Sequence, residues 1–113
     1  MESIKKTCRF KKVYNHRRSV ANRLLVLYIK KNGMENNFLG ISISRKVGKA
    51  VVRNRIKRLI KEQIRLQEEA LVRGYDLVIV VRAAAGDLQK DEDYKQIGRA
   101  LLNLLDRQSL RKV

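Results

Sequence analysis

The residues with the most chemistry in this chain are cations. The segment Lys49–Lys61 holds six Lys or Arg among thirteen residues, and most of the others are apolar. On a helix at about 100° per residue, Arg53, Lys57, Lys61 and Arg65 run at i, i+4, i+8 and i+12 as a slowly winding row. Asn54 and Arg58 lie beside that row. Val52, Ile56, Leu59 and Ile60 share another arc, which Leu66 and Ala70 extend. One face of such a helix docks on a core while the other displays cations at one-turn spacing. Like charges so placed repel by about a few tenths of a kcal/mol per pair. Only Glu62, four residues past Arg58, and Glu69, four past Arg65, are near enough to help. A solvated helix face ordinarily mixes signs, so this one points to a polyanion.

Nothing else has the spacing of a catalytic or metal-binding device. His16, the only histidine, lies beside Arg17 and Arg18. It is a phosphate neighbour or a solvated residue, with no indicated partner for general-base work. Cys8 is the only cysteine, so no internal disulfide forms, and no Cys/His set has zinc spacing. No catalytic triad or carboxylate pair stands out. The expectation is no catalytic residue, no metal ligand and no cofactor bound by the protein alone. The remaining candidates are aromatic. Phe10, Val13 and Tyr14 fall at helical spacing, surrounded by Lys11, Lys12, Arg17 and Arg18. Phe10 and Tyr14 either anchor a short helix to the core or leave a ring open for base stacking.

The totals fit a folded body with one charged side. The chain has 113 residues, the size of one domain with a single core, and a net charge of +16. Residues 1–65 carry 19 basic and 3 acidic residues; residues 66–113 carry 8 of each. All of the imbalance therefore sits in the N-terminal part. An apolar content of 44% argues against a disordered basic tail. There is no proline, low-complexity run or internal repeat. No apolar stretch approaches the roughly 20 residues that span a bilayer. The start, Met1-Glu2-Ser3-Ile4-Lys5-Lys6, lacks the apolar core of a signal peptide. A cytoplasmic protein with no membrane partner is expected.

The elements that must position these residues are legible in part. Residues 1–6 read as extended or mobile. Thr7 is placed to cap a short helix over about Cys8 to Asn15. Ser19–Asn22 reads as a short strand or its lead-in, and Leu24–Ile29, containing Val26 and Tyr28, as a strand. Lys30-Lys31-Asn32-Gly33 begins a turn. From Phe38 to Ser44 the chain alternates. Leu39, Ile41 and Ile43 form a core face, while Phe38, Gly40, Ser42 and Ser44 form a small, hydroxylated face that receives a ligand or meets solvent. Gly48 ends that strand. The long helix is expected from Lys49 to Val72, with Gly74 as its stop signal. Asp76–Ala83 contains five consecutive apolar residues and reads as a central strand buried on both faces. Asp91 to about Gln108 closes the chain as an amphipathic helix with Tyr94, Ile97, Leu101, Leu104 and Leu105 as its buried stripe. Gly98 inside it costs about 1 kcal/mol against alanine. The order is α-β-β-β-α-β-α, a small α+β domain.

The run Leu39-Gly40-Ile41-Ser42-Ile43-Ser44-Arg45-Lys46-Val47-Gly48-Lys49-Ala50-Val51-Val52-Arg53-Asn54-Arg55-Ile56-Lys57-Arg58 closely resembles the signature of the bacterial ribonuclease P protein component. Arg53-Asn54-Arg55 matches that family's RNR motif. The resemblance extends to Phe10, Tyr14, Ser19–Arg23 and Tyr28, and to the order of elements over nearly the whole chain. It implies a two-layer α–β sandwich with a ribosomal-protein-like fold. It also implies a left-handed β-α-β crossover through the long helix, against the usual right-handed rule. It implies that the protein is an accessory subunit of an endoribonuclease, partnered with a catalytic RNA and with precursor tRNA. Removal of the 5′ leader is then carried out on the RNA, with Mg²⁺ used by the holoenzyme. Arg53, Asn54, Arg55, Lys57, Arg58 and Lys61 match the family's RNA-binding helix. Phe10, Tyr14 and Tyr28 match aromatics lining the cleft that receives the single-stranded leader. Lys61 stands where many members carry Arg, which keeps the charge; Tyr14 stands where Phe is common, which adds a hydroxyl. A monomer within the ribonucleoprotein is expected.

Two rival readings share the same charge. One is a structural ribosomal-type RNA-binding protein with no open cleft. The other is a DNA-binding module that uses the basic helix in a major groove. Base-edge readout there wants amide or uncharged side chains, and Asn54 is the only clear candidate.

Overall fold

A computed structural model describes residues 1–112. Among these residues, five strands and three α-helices follow in the order β1 (Glu2–Ser3), α1 (Thr7–Asn15), β2 (Ser19–Ala21), β3 (Leu25–Lys31), β4 (Phe38–Ile43), α2 (Ala50–Gln67), β5 (Tyr75–Val81) and α3 (Asp93–Arg107). Short 3₁₀ turns cover Glu68–Ala70 and Ala83–Asp87. The strands form one sheet in the order β1-β4-β5-β3-β2. β5 pairs in parallel with β4 and antiparallel with β3, so α2 is the crossover between two parallel neighbours.

The apolar run of β5 occupies the sheet centre because both of its faces are covered. Leu77, Ile79 and Val81 join Leu25, Leu27 and Ile29 of β3 and Leu39 of β4 in the larger core, under Ile56, Ile60 and Ile64 of α2 and Ile97, Leu101, Leu104 and Leu105 of α3. This sheet and its two long helices make the two-layer sandwich. Val78 faces the other way. It joins Ile4, Val13 and Phe38 in a smaller cluster beneath α1. The helix expected near residue 8 thus lies on the opposite face of the sheet from α2 and α3.

Several local expectations are corrected. Residues 2–3 form an edge strand, with Glu2 beside Phe38 and Ser3 beside Leu39. Thr7 lies inside α1; Lys6 is the cap residue, without a side-chain capping bond. α2 ends at Gln67, five residues earlier than the pattern suggests, and passes into the 3₁₀ turn. Gly74, at φ +91°, serves the turn into β5 and not the end of the helix. Leu66 is 53% exposed. It lies about 200° past Ile64, which with Gln63 takes the inward position instead. Tyr94 is 45% exposed, because Asp93 takes the inward place in the first turn of α3. Gly98 now has a reason: a side chain there would come within 3.0 Å of the Gln63 amide where α3 crosses α2.

A buried ion pair fastens α1 to the sheet. Arg9 donates from Nε (2.8 Å) and Nη2 (2.7 Å) to the two carboxylate oxygens of Asp76, and Asn32 Nδ2 adds a third bond at 3.1 Å. The guanidinium also lies 4.0 Å over the Phe38 ring. Burial works against the Asp76 charge, but the bonds from Arg9 and Asn32 and the nearby charges of Arg9 and Lys30 hold its carboxyl below the usual range. A carboxyl depressed in the folded state stabilises the protein above its unfolded value of about 4. That contribution disappears as pH falls through the folded value. Denaturation midpoints measured from pH 7 to pH 3 are therefore expected to fall below about pH 5, and Asp76→Asn is expected to flatten that fall more than Asp106→Asn, whose carboxylate is exposed. Equal curves for the two variants would contradict this role for Asp76.

Candidate nucleic-acid interface

Strand register builds the aromatic site. Tyr28 of β3 sits beside Val78 of β5, which sits beside Gly40 of β4. All three side-chain positions face α1, so Tyr28 shares the small, hydroxylated face with Gly40 and Ser42. Val13 of α1 is fully buried against that face and sets the height of the helix. Phe10, one turn earlier, rests directly on Gly40. Any side chain at position 40 would come within 2.6 Å of the Phe10 ring. The absent Cβ therefore lets the far edge of an aromatic ring approach the strand closely. The Phe10 and Tyr14 centroids are 6.4 Å apart with planes at 42°; Tyr14 meets Tyr28 edge-on at 4.9 Å and 84°. All three rings are half-buried. They pack against the smaller core and keep accessible surface. Next to them the row Ser42, Val80, Val26 continues the floor; its members are half-buried too.

The cation row of α2 proves to be divided. Lys57, Arg58 and Lys61 are exposed, as is Asn54. Arg53 is half-buried and donates from Nε to the Gly48 carbonyl at 3.1 Å. Arg55 lies off that row, and its Nε donates to Asp93 Oδ2 at 2.7 Å. That carboxylate is buried, so Arg55 ties the first turn of α3 to α2 with its charge matched. Glu62 pairs with Arg65, three residues on, and not with Arg58. Arg65 is thereby neutralised, while Arg58 has no acidic partner among the described residues. The hydrogen bond from Arg65 lowers the Glu62 carboxyl below its ordinary range.

The two sites meet at the edge of β4. Lys57 and Lys61 line a small groove together with Phe10, Gly40, Ile41, Leu39, Ser3 and Ile4. Ser3 and Ile4 form a wall that the sequence did not reveal, because a two-residue strand has no periodicity to read. Gly40 did leave a signal, as a small residue inside an otherwise apolar strand. Elsewhere, a separate concavity is lined by Glu2, Glu35, Glu68 and Glu69 with Arg73, a surface that repels phosphate. His16 and Cys8 are exposed at opposite ends of α1 and join neither site. Among the described residues, no group of three His, Cys, Asp or Glu side chains could hold a metal ion, and no helix is long and apolar enough to cross a membrane.

Comparison with known proteins gives one answer. The family model described as Ribonuclease P matches residues 1–108. The chain is 52% identical over 103 residues to the ribonuclease P protein component of Clostridium botulinum strain Langeland, covering 90% of this chain and 89% of the relative. Its fold is similar to that of the Staphylococcus aureus RNase P protein, with a TM-score of 0.89 at 33% identity over 99% of each chain. It is likewise similar to the Thermotoga maritima RNase P protein, with a TM-score of 0.85 at 32% identity over 95% of this chain and 97% of that one. These matches, which span nearly the whole chain, place it in the ribonuclease P protein family.

Proposed function

We propose that this protein, as the ribonuclease P protein subunit, binds the catalytic RNA through α2. In the same complex it holds the single-stranded 5′ leader of precursor tRNA in the Phe10–Tyr14–Tyr28 cleft. It thereby assists endonucleolytic removal of the leader to give mature tRNA 5′ ends. It works as a monomer within the ribonucleoprotein, in the cytoplasm. The observation that carries this reading is the junction of the aromatic cleft with the Lys57–Lys61 groove. Stacking of about 1–3 kcal/mol per base is tolerant of sequence, which suits a cleft that must accept many leaders. Cations along the groove neutralise phosphates. Hydrolysis belongs to the RNA and the Mg²⁺ that the holoenzyme uses. What this chain supplies is position and charge: ring faces for bases, ammonium and guanidinium groups for phosphates, and no group that attacks or protonates.

The test combines the protein with a bacterial ribonuclease P RNA and a precursor tRNA at low magnesium. Stimulated leader cleavage over RNA alone is the expected result; no stimulation would sink the reading. Cleavage by the protein without RNA would contradict the assignment of chemistry to the RNA. Replacing Phe10 or Tyr14 by Ala is expected to weaken holoenzyme binding of leader-bearing precursor ~5- to 150-fold, the equivalent of one base left unstacked. Mature tRNA binding should change far less. Equal effects on both substrates would mean that the rings serve the fold alone.

A further inference from the structure

The sheet is left open along one side of β4. β1 covers that side only at Phe38 and Leu39. Its last bond runs from the Ile4 N–H to the Leu39 carbonyl at 2.9 Å, after which the chain turns away through Lys5 and Lys6 into α1. Along a strand the backbone groups of alternate residues point to the same side. Leu39 turns its carbonyl to β1, so Ile41 and Ile43 turn their N–H and C=O groups the same way. The opposite side of β4 is closed by β5 from Phe38 to Ile43. Beyond Ile4, among the described residues, no strand pairs with the open side and no backbone bond from a loop reaches Ile41 or Ile43.

At Ile41 this open edge becomes a site. Ile41 lines the groove together with Phe10 and Gly40 on one side and Lys57 and Lys61 on the other. Its side chain packs against the larger core, which leaves its backbone to meet a ligand at the edge. That backbone unit has one donor and one acceptor. The donor suits a phosphate oxygen, the group that the two ammonium groups attract into the same groove. The acceptor cannot bond a phosphate oxygen; it needs a hydroxyl or an amine. Every nucleotide of an RNA strand carries such a hydroxyl on its ribose, whatever its base. A protein strand fits this edge less well. β1 blocks one end, only Ile41 and Ile43 keep their groups free, and lysines beside an open edge deter an added strand.

We propose that the open edge of β4 at Ile41 binds the sugar–phosphate backbone of the leader: the Ile41 N–H donates to a phosphate oxygen and the Ile41 carbonyl accepts from a ribose 2′-OH. The proposal rests on the reading of the aromatic cleft as the leader site. The leader is the occupant because the groove is continuous with the Phe10 ring and carries the charge that its phosphates require. Stacking and backbone charge do not tell RNA from DNA; a bond to the 2′-OH does, without restricting the base.

The experiment uses precursor tRNAs with a single 2′-deoxy nucleotide placed at each leader position in turn, bound to the holoenzyme that contains the unsubstituted protein. At one leader position Kd is expected to rise about 2- to 12-fold, the share of one hydrogen bond. The same substrate is expected to bind the catalytic RNA alone as well as its all-ribose parent does. No position with a penalty, or an equal penalty without the protein, would overturn the proposal. A second arm replaces Ile41 by its α-hydroxy acid analogue, which turns the N–H into an ester oxygen and keeps the side chain. That change also weakens the Gly40 carbonyl, which faces β5. The same replacement at Ile43 weakens the Ser42 carbonyl in the same way but lies outside the groove, so it is the control. The ester at 41 is expected to weaken binding of leader-bearing precursor by at least about 10-fold, the share of a bond to a charged acceptor, with mature tRNA unchanged. Equal losses for the two esters, or an equal loss for mature tRNA, would overturn the proposal. Should the ester at 41 fail to fold, the 2′-deoxy series decides alone. An unsubstituted holoenzyme that binds precursor and mature tRNA equally would instead sink the underlying reading of the cleft.

Discussion

Arg9→Ala is expected to destabilise the protein by about 2–3 kcal/mol and to weaken leader binding, although Arg9 lines none of the aromatic cleft. The substitution strands the Asp76 carboxylate, which is 5% exposed and would keep only the Asn32 donor. Breaking a buried pair costs about 3–5 kcal/mol when the remaining charge is uncompensated, and the surviving bond reduces that. The same change removes the guanidinium from the Phe38 ring and frees the N-terminal end of α1. Phe10 follows Arg9 directly, so a loosened helix loses the placement of its ring on Gly40. Chemical denaturation measures the first effect; the precursor-to-mature binding ratio measures the second. Arg9→Ala/Asp76→Asn is expected to recover part of the stability, because it removes the stranded charge, but not the leader preference. A double variant no more stable than Arg9→Ala would place the cost elsewhere.

Lys57→Ala/Arg58→Ala/Lys61→Ala is expected to weaken binding to the catalytic RNA by at least about 10-fold at moderate salt, and to flatten the salt slope by about 0.9 for each phosphate that these cations neutralise. The three side chains are exposed and have no carboxylate partner among the described residues, so their removal should leave the unfolding midpoint nearly unchanged. Two neighbours on the same helix are expected to behave differently. Arg55→Ala strands the buried Asp93 and should cost about 2–3 kcal/mol of stability, with any drop in RNA affinity following from misfolding where α2 meets α3. Arg65→Ala breaks an exposed pair with Glu62 and should change both stability and the salt slope little. A salt slope that falls equally for Arg55, Arg65 and the triple variant would show that ion pairing does not sort these cations.

Most of the element types, which neighbours along the chain decide, were legible in the sequence, although the cap of α1 and the end of α2 were not. The spacing of Val52, Ile56 and Ile60 requires an amphipathic helix, the run Leu77–Val81 a strand covered on both sides, and the tally of charges an anionic partner. The RNR run could be read for the same reason, since its residues are contiguous. Which charges remain free depends instead on the folded arrangement. Arg55 finds Asp93 at 38 residues' separation and Arg9 finds Asp76 at 67, and neither spacing leaves a periodic trace. Folding likewise places β1 on the edge of β4, lays α1 across the face opposite α2, and rests Phe10 on Gly40. Periodicity records which side of an element is apolar, whereas Coulomb attraction and close packing depend on distances through space that only the folded chain sets.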